Sequence, residues 1–207
     1  MNRIVFSCLI ATALAACGAA PEQVVEEPPL AGATIGGPFA LVDHTGKDFT
    51  EKDLLGKYAL VYFGYSYCPD ICPVDMQRLT QGLNAFAKQR PADAARVQPI
   101  FVTVDPERDT PQELARFVKA FHPRLVGLTG TPEQIKAATK AYAVSYRKQP
   151  GSAPDAYLMA HSQLAYLMDP EGKPVALLPF DDPSTPADEG TPHAVAAELA
   201  RWVRPAA

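Results

Sequence analysis

An apolar run that ends in two cysteines does most to limit how this chain can fold. Residues Tyr58–Pro73 read YALVYFGYSYCPDICP. The first part is apolar or aromatic with little alternation, the pattern of a central strand covered on both faces, and the strand is expected to end near Gly64. Cys68 and Cys72 follow, and beyond them Met76, Leu79, Leu83 and Phe86 recur at helical spacing within Val74–Arg90. The unit is a strand, a short turn and a helix, with both thiols at the helix N-terminus. Unpaired amide N–H groups and the positive end of the helix dipole favour thiolate over thiol there, so these sulfurs are expected to be reactive or metal-binding. Side chains four apart on a helix share a face, so the two sulfurs converge if the turn from Cys68 onward is roughly helical. Pro69 and Pro73 stiffen the segment where amide donors would in any case be unpaired.

The flanking sequence repeats the alternation of strand and helix. Phe39–Val42 and Phe49, around a turn at Asp43–Lys47, suggest a small β-hairpin ahead of the central strand, and Thr50–Asp53 a short capped helix ended by Gly56. After a polar connection at Gln89–Ala95, Val97–Val104 reads as a second buried parallel strand. Thr110, Pro111 and Glu113 form a helix start, and Thr131-Pro132-Glu133-Gln134 repeats it after a short strand at Leu125–Leu128. This is the pattern of an α/β sheet. The last third is less regular: a loop over Lys148–Ala156, strand-like runs at Tyr157–Met159 and Gln163–Met168 on either side of His161, and a turn at Asp169–Lys173. That turn pairs Gln163–Met168 with Val175–Phe180 as an antiparallel hairpin. A polar, Pro-rich stretch then leads to a closing helix over His193–Val203.

The first residues bear on compartment and on the cysteine count. Met1-Asn2-Arg3 is a short basic start, Ile4–Ala13 is apolar, and Leu14-Ala15-Ala16-Cys17 has the form of a bacterial lipobox. Residues 1–16 are then a lipoprotein signal peptide, and residues 17–33 a lipidated Cys17 with a flexible acidic tether. Residues 34–207 form the folded domain. Cys8 would leave with the leader, and the domain would keep Cys68 and Cys72. The expected location is outside the cytoplasm, lipid-anchored to a bacterial membrane. A net charge of −4 with interspersed signs offers no footprint for nucleic acid. In an oxidising compartment two thiols this close can also be a plain structural disulfide, though closing so short a loop removes little chain entropy.

Two thiolates leave the coordination of a soft metal incomplete, and an imidazole is the natural third donor. His44 in a turn, His122 after a helix and His193 at a helix start each read as solvated or capping. His161 differs in lying between two apolar runs, although an isolated His is more often structural than a ligand. Tyr62, Phe63, Tyr65 and Tyr67 read first as core and rim aromatics, and only second as a shield for a metal.

The segments FGYSYCPDICP, FVTVDPERDTPQEL, LVGLTGTPEQI and YLMAHSQLAYLMDPEGK, in this order over about Phe39–Phe180, resemble the SCO/SenC proteins. These are copper-binding assembly factors of cytochrome c oxidase with a thioredoxin-like fold. The resemblance implies an N-terminal β-hairpin extension and an inserted loop or hairpin that carries the ligand His. It places Cys68, Cys72 and His161 at copper-ligand positions, with Cys68 and Cys72 also a redox-active pair. Copper, as Cu(I) or Cu(II), is the implied cofactor. The implied partner is the copper-binding subunit of the oxidase, with an upstream copper donor or a thioredoxin-like reductant as a further one. The family often has Asp immediately before the ligand His, where this chain has Ala160; that difference bears on metal affinity rather than on the ligand set. Asp105 and Asp109 are candidates for the site's surroundings, with helix capping and turn formation as the plainer roles. The same thiols also suit a thiol-disulfide oxidoreductase that reduces the cysteines of an oxidase copper site. A Cys₂His zinc hydrolase ranks low because no general base stands out nearby, and a peroxidase because CPDICP lacks the usual peroxiredoxin nucleophile pattern.

Overall fold

Phe39 and Leu41 bury the N-terminal hairpin against the rest of the chain. Strand β1 (Ala40–Asp43) pairs antiparallel with β2 (Asp48–Thr50). At their turn Asp43 accepts hydrogen bonds from the Thr45 and Lys47 amides, and Gly46 takes a φ of 86°, which a side chain would resist. A single 3₁₀ turn, Glu51–Leu54, starts from a Thr50/Asp53 capping box. The computed structural model describes residues 26–151, 156–181 and 184–205. The leader and the acylated Cys17 expected from sequence lie outside these residues. Residues 26–33, the end of the expected tether, run against the domain: the Leu30 amide bonds to Val175 O at 3.1 Å, and Glu26 pairs with Arg201.

Every residue of β3 (Tyr58–Gly64) is buried, as an unalternating apolar strand requires. It feeds α1 (Ile71–Gln89), whose stripe of Met76, Leu79, Leu83 and Phe86 is fully buried. The polar connection expected at Gln89–Ala95 contains a short helix, α2 (Pro91–Ala95). Pro91 opens it and Arg90 pairs with Asp93 at 2.6 Å, so local propensity and one ion pair make a turn with too few residues to show a period. Strand β4 (Val97–Thr103) lies parallel to β3 along its whole length, from Tyr58↔Val97 to Gly64↔Thr103. Helix α3 (Pro111–Lys119) starts at Thr110, whose hydroxyl accepts from the Glu113 amide, and leads to β5 (Val126–Thr129), parallel to β4. Helix α4 (Pro132–Ala141) begins with the expected Thr131/Gln134 capping box.

The last third differs from expectation in one element. Lys148 and Gln149 belong not to a loop but to β6 (Tyr146–Gln149), which pairs antiparallel with β7 (Leu158–His161). The sequence YRKQ carries no apolar alternation, and its two central residues are exposed; this strand exists because β7 supplies its hydrogen-bond partners. His161 ends β7 rather than separating two strands. Strands β8 (Ala165–Met168) and β9 (Pro174–Leu177) make the expected hairpin, and β8 pairs antiparallel with β3. The closing helix α5 (Pro192–Trp202) packs along α1, where Gly82 leaves room for Val195. Among the described residues the main sheet has the order β2-β1-β5-β4-β3-β8-β9, and β6-β7 form a separate small sheet. No described helix is long and apolar enough to cross a membrane.

Candidate functional site

The thiols sit where β3 hands over to α1, at the C-terminal edge of the parallel strands. The chain leaves Gly64, buries Tyr65 and exposes about half of Tyr67. It reaches Cys68 three residues before helix α1 begins, so Cys68 lies on the preceding turn and only Cys72 is helical. The Asp70 side chain does not cap the helix; instead the Cys72 amide points at Cys68 Sγ, 3.4 Å away. A sulfur therefore occupies the place of an N-cap oxygen, where partial positive charge favours an anion.

The two thiols are electrostatically unequal. The hydrogen bond from Cys72, helped by the backbone and by Tyr65, lowers the pKa of half-buried Cys68 to about 5 against the opposing cost of burial. The same bond and deep burial push Cys72 well above the ordinary thiol range. The pair thus gives up one proton readily and holds the second. Both cysteines are free thiols in this structure.

His161 reaches this pair from the end of β7, with Nε2 3.3 Å from Cys72 Sγ. Its Nδ1 lies 2.9 Å from Ser162 O. A carbonyl can only accept, so Nδ1 carries the proton and the Nε2 lone pair faces the thiol. The rings of Tyr62 and Tyr65 stand perpendicular to the imidazole at centroid distances of 6.4 and 6.1 Å and hem in its plane. Cys72 is the link: it touches both Cys68 and His161. Among the described residues no three His, Cys, Asp or Glu stand in a ready-made metal cage. What the structure provides is one sulfur that readily gives up its proton, a second that holds it, and an imidazole nitrogen with a free lone pair, a donor set suited to a thiophilic ion that would displace the remaining thiol proton.

Behind the thiols lies a carboxylate that sequence reasoning passed over. Asp75 is 3% exposed; it accepts from Tyr62 OH at 2.9 Å and from Gln163 Nε2 at 2.9 and 3.1 Å. Burial raises its pKa, against the Tyr62 and Gln163 bonds that lower it. The signal was present, since Asp75 shares the buried stripe of α1 with Cys72, Met76 and Leu79. The chain has Ala160 just before the imidazole, and Asp75 supplies a buried carboxylate from another element. Asp105 and Asp109 are both buried near the thiol turn. Asp109 accepts from the Ser66 amide at 3.0 Å and from the hydroxyls of Ser66 and Thr103 at 2.5 Å, anchoring the turn that leads to Cys68. Thr110, not either Asp, caps α3. Of the remaining histidines, His193 is exposed. His44 accepts from the Gly127 amide through Nδ1. His122 is buried rather than solvated and accepts from the Arg124 amide, so all three stand apart from the thiols.

A parallel β3-β4-β5 core, an antiparallel β8-β9 edge and two cysteines at the turn from strand to helix define a thioredoxin-like protein with an imidazole added to its thiol site. The chain belongs to the SCO1/SenC family, whose sequence model matches residues 27–199. It is 47% identical over 148 residues to the mitochondrial SCO1 homolog 1 of Arabidopsis thaliana, covering 71% of this chain and 43% of that protein. It is also 47% identical over 142 residues to the SenC protein of Rhodobacter capsulatus, covering 68% of this chain and 62% of that protein. The structure of copper-bound ScoI from Bradyrhizobium japonicum superposes with a TM-score of 0.70 at 40% identity, over 81% of this chain and 99% of that one.

Proposed function

We propose that this chain is a copper-binding assembly factor that takes copper on Cys68, Cys72 and His161 and delivers it to the copper-binding subunit of a cytochrome c oxidase. The observation that carries the reading is the position of Cys72, with one thiol and one imidazole nitrogen both in contact with it. Two thiolates and an imidazole match the preference of Cu(I) for soft donors and low coordination number. Copper bound to the ScoI relative supports the choice of metal. Copper here is cargo: half-buried Cys68, the more accessible of the two thiols, offers the side from which a partner's ligands can replace these donors one at a time. An upstream donor would load the site, and a thioredoxin-like reductant would keep the thiols reduced. Acylation of Cys17 would hold the domain at the outer face of a bacterial membrane. The test is titration of the reduced full-length chain with Cu(I) under a competing chelator. One equivalent should bind tightly, and His161→Ala should alter both affinity and the spectrum of the Cu(II) form. An unchanged spectrum would remove His161 from the ligand set.

Thiol-disulfide exchange with a partner's copper-site cysteines is the second reading, favoured by the low pKa of Cys68. It ranks behind copper binding because it leaves the His161 contact unused. Comparing Cys72→Ser with His161→Ala in disulfide reduction separates the two, since exchange chemistry needs only the thiol.

A further inference from the structure

The hairpin that delivers His161 has little of its own to hold it in place. Among the described residues β6 and β7 pair only with each other, and an isolated two-stranded hairpin is marginal in water. Beyond the short link from His161 to Ala165 at the start of β8, its position against the thiols comes from side chains. Tyr157, immediately before β7, donates its hydroxyl to Asp105 Oδ1 at 2.8 Å. Arg108 pairs with Asp105 at 2.6 Å, donates to the Tyr157 carbonyl at 3.1 Å and lies 3.6 Å from the centre of the Tyr157 ring. From the other strand Lys148 reaches Glu107 at 2.7 Å and covers the same ring at 3.7 Å. All three anchors, Asp105, Glu107 and Arg108, belong to the one turn after β4.

That turn also serves the cysteine side. Arg108 lies 4.9 Å from the Tyr67 ring centre and 5.8 Å from that of Tyr65, on the segment leading to Cys68. Alternate residues of a strand share a face, so Tyr157, Met159 and His161 look the same way, while Leu158 points outward and is 45% exposed. The Met159 amide bonds to the Tyr65 hydroxyl, which holds the edge of β7 against the thiol turn. Tyr157 and His161 are the two ends of that face, about 13 Å apart along the strand.

We infer that Tyr157 is a positioning residue for His161: latched by Asp105 and Arg108, it sets the register and tilt of β7 and so brings the imidazole to Cys72. The inference rests on His161 being a copper ligand, as proposed above. Simple stabilisation of a surface hairpin would use the same contacts, but losing it would loosen β6 and β7 without weakening copper binding.

The test compares the reduced full-length chain with Tyr157→Phe, His161→Ala and the double variant. Tyr157→Phe keeps the ring and removes the hydroxyl. It should speed amide exchange in β6 and β7 while leaving β3 and β4 protected, and weaken copper binding by about 10–100-fold, the usual effect of losing a ligand's supporting contact. In the His161→Ala background the same change should cost nothing more, because the latch acts through the imidazole. Equal cost in both backgrounds, unchanged copper affinity, or unchanged β7 exchange would each overturn the inference. If the unsubstituted chain takes up no copper, the ligand reading itself falls, and the exchange comparison still decides whether Tyr157 holds the hairpin.

Discussion

Cys72 Sγ and His161 Nε2 stand 3.3 Å apart although 89 residues separate them. The contact joins the end of a small, separate hairpin to the first turn of the longest described helix. It places an imidazole lone pair on the thiol whose proton is held most tightly, while Cys68, the more acidic partner, remains half-buried on the approach side.

The inequality of the thiols is measurable without metal. Alkylation of Cys68 in the reduced, metal-free chain should switch on with a midpoint near pH 5, where its thiolate forms. Cys72 should stay slow through the neutral range, because burial and the bond to Cys68 raise its pKa. Iodoacetamide labelling with peptide mass mapping across pH reads both sites. Equal rates with a midpoint near the ordinary thiol value of about 8.5 would contradict the arrangement.

Asp109 should reveal itself in the pH dependence of stability. Burial raises its folded pKa above 3.8, outweighing the Ser66 and Thr103 bonds that lower it. The folded chain therefore holds this proton more tightly than the unfolded chain. The resulting stabilisation is complete below the unfolded value and is lost as pH rises through the folded one. Urea unfolding at about pH 4 and pH 7 should show wild type losing ground to Asp109→Asn as pH rises. Asp109→Ala, which strands the Ser66 amide and two hydroxyls, should cost about 1–3 kcal/mol. Parallel stability curves for wild type and the Asn variant would refute the burial effect.

Gly64 closes the floor of the thiol pocket. A Cβ there would lie 2.8 Å from the Tyr62 ring and 3.1 Å from both Cys72 Sγ and the Phe101 ring. All three neighbours are buried and cannot swing away, so Gly64→Ala should destabilise the fold by about 1–3 kcal/mol and displace Cys72, weakening copper binding. Denaturant unfolding and chelator competition measure the two effects. No change in either would mean the pocket is slack.

Oxidation should separate metal binding from folding. A Cys68–Cys72 disulfide would remove two of the three proposed donors at once and leave a lone imidazole, a weak holder of Cu(I). The short loop contributes little to stability, so far-ultraviolet circular dichroism should be unchanged while copper is released, and rereduction should restore binding. Tight copper retention by the fully oxidised chain would mean that other ligands hold it.

The sequence exposed those parts of the molecule whose cause is local. Tyr58–Gly64 is buried throughout and reads so, and the caps at Thr110 and Thr131 use residues three positions apart. The thiol turn was legible for the same reason. By contrast, β6 is a strand only because β7 pairs with it. Asp105 and Asp109 look like cap residues in sequence, yet their carboxylates act on Tyr157 and Ser66, 52 and 43 residues away. Asp75 went unread because an acid on an apolar helix stripe acquires its meaning from Tyr62 and Gln163 across the pocket.

The separate hairpin also sets the order in which the site assembles. The two sulfurs belong to one helical start and meet as soon as that turn forms, a local event on the microsecond scale. The imidazole arrives only after a closure of 89 residues, which awaits the β3-β8 pairing and the docking of β7. A chain whose thiol turn forms first passes through an interval in which both thiols are in place and no nitrogen stands beside them. An oxidant acting in that interval would close the disulfide before the imidazole docks, and such a chain would need rereduction before it could take metal.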